Sequence, residues 1–165
     1  VPLSFSTATS ADAASLAGLR SSTAERLTEL HGRGHWSSSV SEAGVLRAMK
    51  SCRVLVGRTR GRIVGMLALA TKKPWAIDTS YFTEVARPLY LHDMAVAPRM
   101  QKRGIGRQML EAATAMARRW PAQAIRLDAY DAVAGAGGFY ARCGYTEVGR
   151  VAYRGVPLIY YELVL

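Results

Sequence analysis

Cysteine is scarce in this chain: Cys52 and Cys143 are its only two, and they lie far apart. Two distant thiols make neither a disulfide framework nor a metal-ligand spacing. No metal site is therefore expected, and the reducing cytoplasm is the expected location. Long apolar runs are also missing. None approaches the ~20 residues that a membrane span needs, so no membrane partner is expected. The start, Val1-Pro2-Leu3-Ser4, has no basic stretch followed by an apolar block, and no secretory leader is expected. Repeats and low-complexity linkers are absent. With 50% hydrophobic and 21% charged residues the composition is that of a globular chain, not a disordered one. A length of 165 residues suits one domain, 1–165, with a sizeable core.

Acids are few as well: 12 Asp and Glu face 22 Lys and Arg, a formal net charge of +10. Such an excess suits either a polyanion such as nucleic acid or an anionic cofactor beside an arginine-rich surface. Composition does not choose between them. From 87 to 126 there are eight basic residues (Arg87, Arg99, Lys102, Arg103, Arg107, Arg118, Arg119, Arg126) against two acids, Asp93 and Glu111.

The hydrophobic pattern predicts an α+β mixture in the order β-α-α-β-β-β-α-β-α-β-β. A short strand over 3–7 precedes a helix that Ser10 caps and Leu16, Leu19, Leu27 and Leu30 mark. Gly32, Gly34 and three serines break it, leaving His31 and His35 in a glycine-rich loop without a role. Trp36 there is read as a hydrophobic anchor or a cover over a cleft. Ser41 caps a second, short helix. Residues 52–57 and 63–69 read as paired strands turning at Arg60-Gly61. Residues 71–87 have no clean period and form a long irregular connection, the kind that is usually functional or mobile. A strand at 89–96 follows, then a helix from Gly104 whose apolar residues Ile105, Met109, Ala112, Met116 and Trp120 share one face. A strand at 125–130, a short helix ending at Cys143 and closed by Gly144, and a final antiparallel pair at 148–152 and 158–165 complete the chain.

The most informative stretch is Val96-Ala97-Pro98-Arg99-Met100-Gln101-Lys102-Arg103-Gly104-Ile105-Gly106-Arg107. A strand ends, a basic turn follows and a helix begins at once. Backbone N–H groups at a helix start face outwards and favour anions. Gly104 and Gly106 let a phosphate approach the backbone closely, and Lys102, Arg103 and Arg107 add positive charge. This is a phosphate cradle. It lacks the G-x-x-x-x-G-K-[ST] of a Walker loop and the third glycine of the dinucleotide fingerprint.

These residues resemble the GNAT superfamily of acetyl-CoA-dependent N-acetyltransferases. Its signature Q/R-x-x-G-x-G/A follows a strand ending in V-x-P, here Gln101 to Gly106 after Val96-Ala97-Pro98. A second signature, A-x-x-F/L-Y-x-x-x-G-F/Y, matches Ala136-Gly137-Gly138-Phe139-Tyr140 through Gly144-Tyr145. The resemblance is specific over 90–145 and loose before that. It implies a mixed, mostly antiparallel central sheet with flanking helices, splayed between its fourth and fifth strands, with acetyl-CoA as co-substrate in the wedge. The pantetheine arm would bond the backbone of Met94, Ala95 and Val96. The pyrophosphate would lie on the amides of Gln101, Lys102, Arg103, Gly104, Ile105 and Gly106, helped by Arg107. The family's frequent Asn falls on Val133 in this chain, so a side-chain contact to the cofactor is either missing or supplied by Asp131.

Attack of an amine on a thioester needs a neutral amine, a polarised carbonyl and a proton for the leaving thiolate. Tyr140 matches the family tyrosine placed near the thioester sulfur and can give that proton; its neighbour Phe139 reads as the core residue of the two. His92 stands where family members that acetylate arylalkylamines carry a histidine, four residues before the strand's final Val. Its imidazole suits a base acting through water, with water itself or Asp93 as the alternative bases. Strand alternation points Asp93 to the other face, to cap a loop or pair with an arginine. The expected partner is a small-molecule or peptide amine, with no specific nucleic acid, and a homodimer is left open. The rival readings are an acyl-CoA-sensing or nucleic-acid-binding module without turnover, and an enzyme for longer acyl groups.

Overall fold

The computed structural model of the chain describes residues 2–165. Its elements follow the expected order: β1 (Ser4–Thr7), α1 (Ala13–His31), α2 (Glu42–Ala48), β2 (Arg53–Thr59), β3 (Arg62–Ala70), β4 (Pro88–Val96), α3 (Ile105–Arg119), β5 (Ala124–Tyr130), α4 (Phe139–Arg142), β6 (Thr146–Tyr153) and β7 (Val156–Val164). The class is α+β and the sheet is mostly antiparallel, with β4 and β5 its parallel pair. Two compact units divide the chain. One comprises the N-terminal stretch through Leu69 with Asp93–Ala113; the other comprises Ala70–His92 with Thr114–Leu165.

In the first unit the strand order is β1-β2-β3-β4. The β2–β3 hairpin turns through Arg60 and Gly61, with φ of 48° and 77°. Two successive left-handed residues give the turn the twist that a hairpin needs. One sheet face is covered by α1 and α2, where Leu16, Leu19 and Val45 pack with Val54, Val56, Met66 and Ala68. Across the other runs α3. Gly57 and Gly65 are opposite each other in the ladder, and a Cβ on them would stand 2.8 and 3.0 Å from the Met109 sulfur. These two glycines leave the depth that Met109 fills.

Three local expectations are corrected here. Ser10 does not cap α1. Thr9 caps a 3-10 turn, Ser10–Asp12, and the helix begins after it. The cause is Asp12, whose carboxylate accepts from the Thr9 N–H at 3.0 Å and pairs with Arg58 at 2.7 Å, tightening the entry. His31 is the last residue of α1 and not part of the loop. The buried stripe of α3 is Ile105, Met109, Leu110, Ala113 and Ala117, with Ala112, Met116 and Trp120 only half-buried. Alanines, having little to clash, let the helix turn its smaller residues inward.

The second unit holds the order β4-β5-β7-β6. The parallel ladder joins Pro88, Leu89 and Tyr90 to Ala124, Ile125 and Arg126 and goes no further, although β5 continues to Tyr130. This is the splay between the fourth and fifth strands. On β7, Tyr160 packs with Ile77, Phe82 and Tyr90. The long connection is tied down rather than loose. The Lys73 ammonium donates to the carbonyls of Pro74 and Ile77 at 2.9 and 2.7 Å. The Tyr160 hydroxyl accepts from the Asp78 N–H at 3.1 Å and donates to the Ala76 carbonyl. Thr83 donates through N–H and hydroxyl to the buried Glu162 carboxylate. Its carbonyl accepts from Arg126 at 2.7 Å.

Candidate active site

The cradle lies in the first unit. Its geometry comes from a chain that must leave a strand and enter a helix within a few residues. Ala97 keeps one more ladder bond, N–H to the Val64 carbonyl at 2.9 Å, and Pro98 then opens a 3-10 turn, Pro98–Met100. Gln101 closes the loop from within: its side-chain amide donates to the Val96 carbonyl at 3.0 Å. The glutamine of the signature is thus a brace for the turn. Lys102 and Gly104 follow with φ of 60° and 78°, both in the left-handed region. The first intrahelical bond runs from the Gln108 N–H to the Gly104 carbonyl at 3.1 Å, so the amides of Ile105 and Gly106 precede the helical ladder. A Cβ at Gly104 would meet nothing within 4 Å. The space above the turn is open and a side chain would fill it. Lys102, Arg103 and Arg107 are exposed around it. Outward amides, the positive end of a helix and three cations fit a pyrophosphate.

Upstream, Met94, Ala95 and Val96 are half-buried. They follow a break in β4: Asp93 has φ of 53°. The premise of strict alternation therefore fails at Asp93, because a left-handed residue interrupts the pleat as a bulge does. The expected arginine pairing does hold, since the Asp93 carboxylate lies 3.2 Å from the Arg20 guanidinium of α1.

The other candidates belong to the second unit. Tyr140 is in α4 and is buried, its ring 5.6 Å from Tyr161, 5.9 Å from Tyr145 and 5.2 Å from Phe139. Phe139 is the less buried of the neighbours, which reverses the expected core assignment. Helix α4 has a single turn, and that turn points Tyr140 inward. Burial, then the nearby Asp128 carboxylate, hold the Tyr140 hydroxyl far above its ordinary pKa. It stays protonated at any physiological pH, so it can donate but cannot be a base. The same burial would raise the basicity of a thiolate beside it, which keeps donation feasible. His92 is half-buried on β4. Asp131 pairs with Arg150 at 3.6 Å, and Val133 is 89% exposed.

One residue escaped the sequence reading: Asp128, half-buried on β5. Burial raises its carboxyl above the usual range, and His92 pulls it back down. An acid between Leu127 and Ala129 inside a strand was the available signal. Among the described residues no group of three or more His, Cys, Asp or Glu could hold a metal ion. Nor is any helix among them long and apolar enough to cross a membrane.

Residues 22–145 match the model of the acetyltransferase (GNAT) family, and the chain belongs to that family. Its fold is similar to that of ribosomal-protein-alanine N-acetyltransferase from Brucella melitensis, with TM-score 0.76 and 19% identity over 99% of this chain and 100% of that one. An N-acetyltransferase from Staphylococcus aureus is similar at TM-score 0.73, with 12% identity and 99% of both chains covered. The Salmonella typhimurium protein yncA, whose structure holds its cofactor acetyl-CoA, is similar at TM-score 0.69, with 19% identity over 99% and 94% of the chains. A comparison with curated proteins finds no significant match.

Proposed function

We propose that the chain is a single N-acetyltransferase domain, 1–165, that moves an acetyl group from acetyl-CoA to a primary amine by direct attack. The observation that carries this is the turn from β4 into α3: left-handed Gly104 under open space, with amides of the helix start beyond it. The backbone of Met94, Ala95 and Val96 would bond the pantetheine arm. Gln101 to Gly106 would carry the pyrophosphate, with Arg107, and Asp131 would supply a further polar contact. The acceptor is a small-molecule or peptide amine. The acceptor attacks as the neutral amine. Its nitrogen lone pair bonds the acyl carbon, His92 takes the proton that the nitrogen must then shed, the C–S bond breaks, and Tyr140 gives its proton to the sulfur. The proton on His92 returns to Tyr140 through solvent, so both groups end as they began.

Acetyl-CoA should raise the melting temperature of the pure protein, because a ligand bound only to the folded state stabilises it. The expected shift disappears in Gly104→Glu, whose carboxylate fills the open space and repels phosphate. A wild-type protein that shows no shift at millimolar acetyl-CoA would end this reading. The basic excess is assigned to the cofactor and to general solubility. DNA binding followed by fluorescence anisotropy should accordingly be weak, indifferent to sequence and lost steeply with salt. Tight binding to one sequence at physiological salt would favour the nucleic-acid module instead.

A further inference from the structure

His92 and Asp128 come from strands that the sequence keeps 36 positions apart, yet the second unit sets them in step. Tyr90 pairs with Arg126 in the parallel ladder, and the Arg126 guanidinium donates to the Tyr90 hydroxyl at 3.1 Å, so the two side chains share a face. Two residues further along each strand stand His92 and Asp128. Side chains at i and i+2 of a strand lie on one face, and the break in β4 comes only after His92, at Asp93. His92 and Asp128 are therefore neighbours on the face that carries Tyr90 and Arg126. They sit where the ladder has ended and the two strands are no longer bonded.

We propose that Asp128 is the positioning residue behind His92, its carboxylate orienting the imidazole and stabilising it once it has taken the proton of the acceptor amine. The inference rests on the assignment of His92 as base. The carboxylate keeps its charge throughout, and no bond to it forms or breaks. It faces little other titratable company. Tyr160 is its partner in the β5–β7 ladder, and its hydroxyl is engaged with Asp78 and Ala76. Tyr140 of α4 feels its charge and stays protonated. Arg126, on the same face, is committed to Tyr90 and Thr83, and Glu162 to Thr83. The charge that bears on Asp128 from β4 is that of His92, and partial burial lessens the screening between the two. A carboxylate that fixes the tautomer and orientation of an imidazole is a recurrent way of making a histidine an effective base.

The test needs no acceptor. The tautomer of His92 is read by NMR from its ring nitrogen signals, which His92→Ala assigns against those of His31 and His35. In Asp128→Asn the balance between the two neutral tautomers of His92 should change, while Asp128→Glu should restore the wild-type balance. The acetyl-CoA thermal shift should survive in both variants, showing that they fold and bind. An unchanged His92 tautomer balance in a folded Asp128→Asn protein overturns the proposal. If Asp128→Asn does not fold, Asp128→Ser takes its place with the same readings. The base assignment stands or falls separately. It requires that His92→Ala slow turnover most at low pH, with the acidic limb of kcat/KM displaced.

Discussion

Tyr140→Phe is expected to lower kcat by roughly 100-fold or more while leaving acetyl-CoA affinity almost unchanged. The substitution removes one hydroxyl and keeps the ring, so the contacts with Phe139, Tyr145 and Tyr161 remain. What is lost is the proton for the departing sulfur. The assay is a panel of amines with acetyl-CoA, read by release of free thiol, followed by single-turnover kinetics on whichever amine reacts. Because burial and Asp128 hold the hydroxyl protonated, no basic limb from Tyr140 should enter the wild-type pH profile below the range where the protein itself fails. A variant with near-normal kcat, under conditions where chemistry limits the rate, would remove Tyr140 from the acid role and leave solvent in it.

The largest expected effect on stability comes from Arg126→Ala. Arg126 is 4% exposed and stands opposite Glu162, itself 5% exposed, in the β5–β7 ladder. Its guanidinium donates to Tyr90 and Thr83 and lies 5.2 Å from the Phe82 ring centre. Truncating it leaves a buried carboxylate without the neighbouring cation and frees the Thr83 carbonyl. Removing a buried, hydrogen-bonded cation that stands opposite a buried carboxylate costs about 3–5 kcal/mol, or roughly 10 °C in Tm for a chain of this size. Urea unfolding should register the fall in its midpoint. The pair Arg126→Leu with Glu162→Leu should be milder than Arg126→Ala alone, since neither charge is then stranded. A loss below about 1 kcal/mol in the single variant would mean that water reaches Glu162 and that the charges are not coupled.

The loop at 71–87 shows how a sequence can be legible in outline and not in substance. Its lack of period is real, and only a 3-10 turn, Thr79–Tyr81, forms within it. Irregular backbone is nevertheless held in place by long-range bonds, from Tyr160 to Ala76 and Asp78 and from Glu162 to Thr83. Those partners lie some 80 positions away. No local pattern carries such information. The stripe of α3 failed in a related way. Periodicity gave the helix and its apolar side, but which residues go deepest depends on Gly57 and Gly65, which make room for Met109.

What the sequence determined by itself is the turn from β4 into α3 and the order of elements. A turn between a strand and a helix is built from consecutive residues, so its glycines, its cations and its amides can be read in a row from 96 to 107. Its glutamine could be read too, though only the structure turned that side chain back onto Val96. The tertiary structure decided everything that depends on two strands meeting. It put His92 in step with Asp128, bent β4 at Asp93 toward Arg20, and buried Tyr140 rather than Phe139. The physical reason is range: hydrogen bonds and periodicity along a segment are local, whereas the field and the solvent exposure of an ionisable group are set by whatever chain the fold brings beside it.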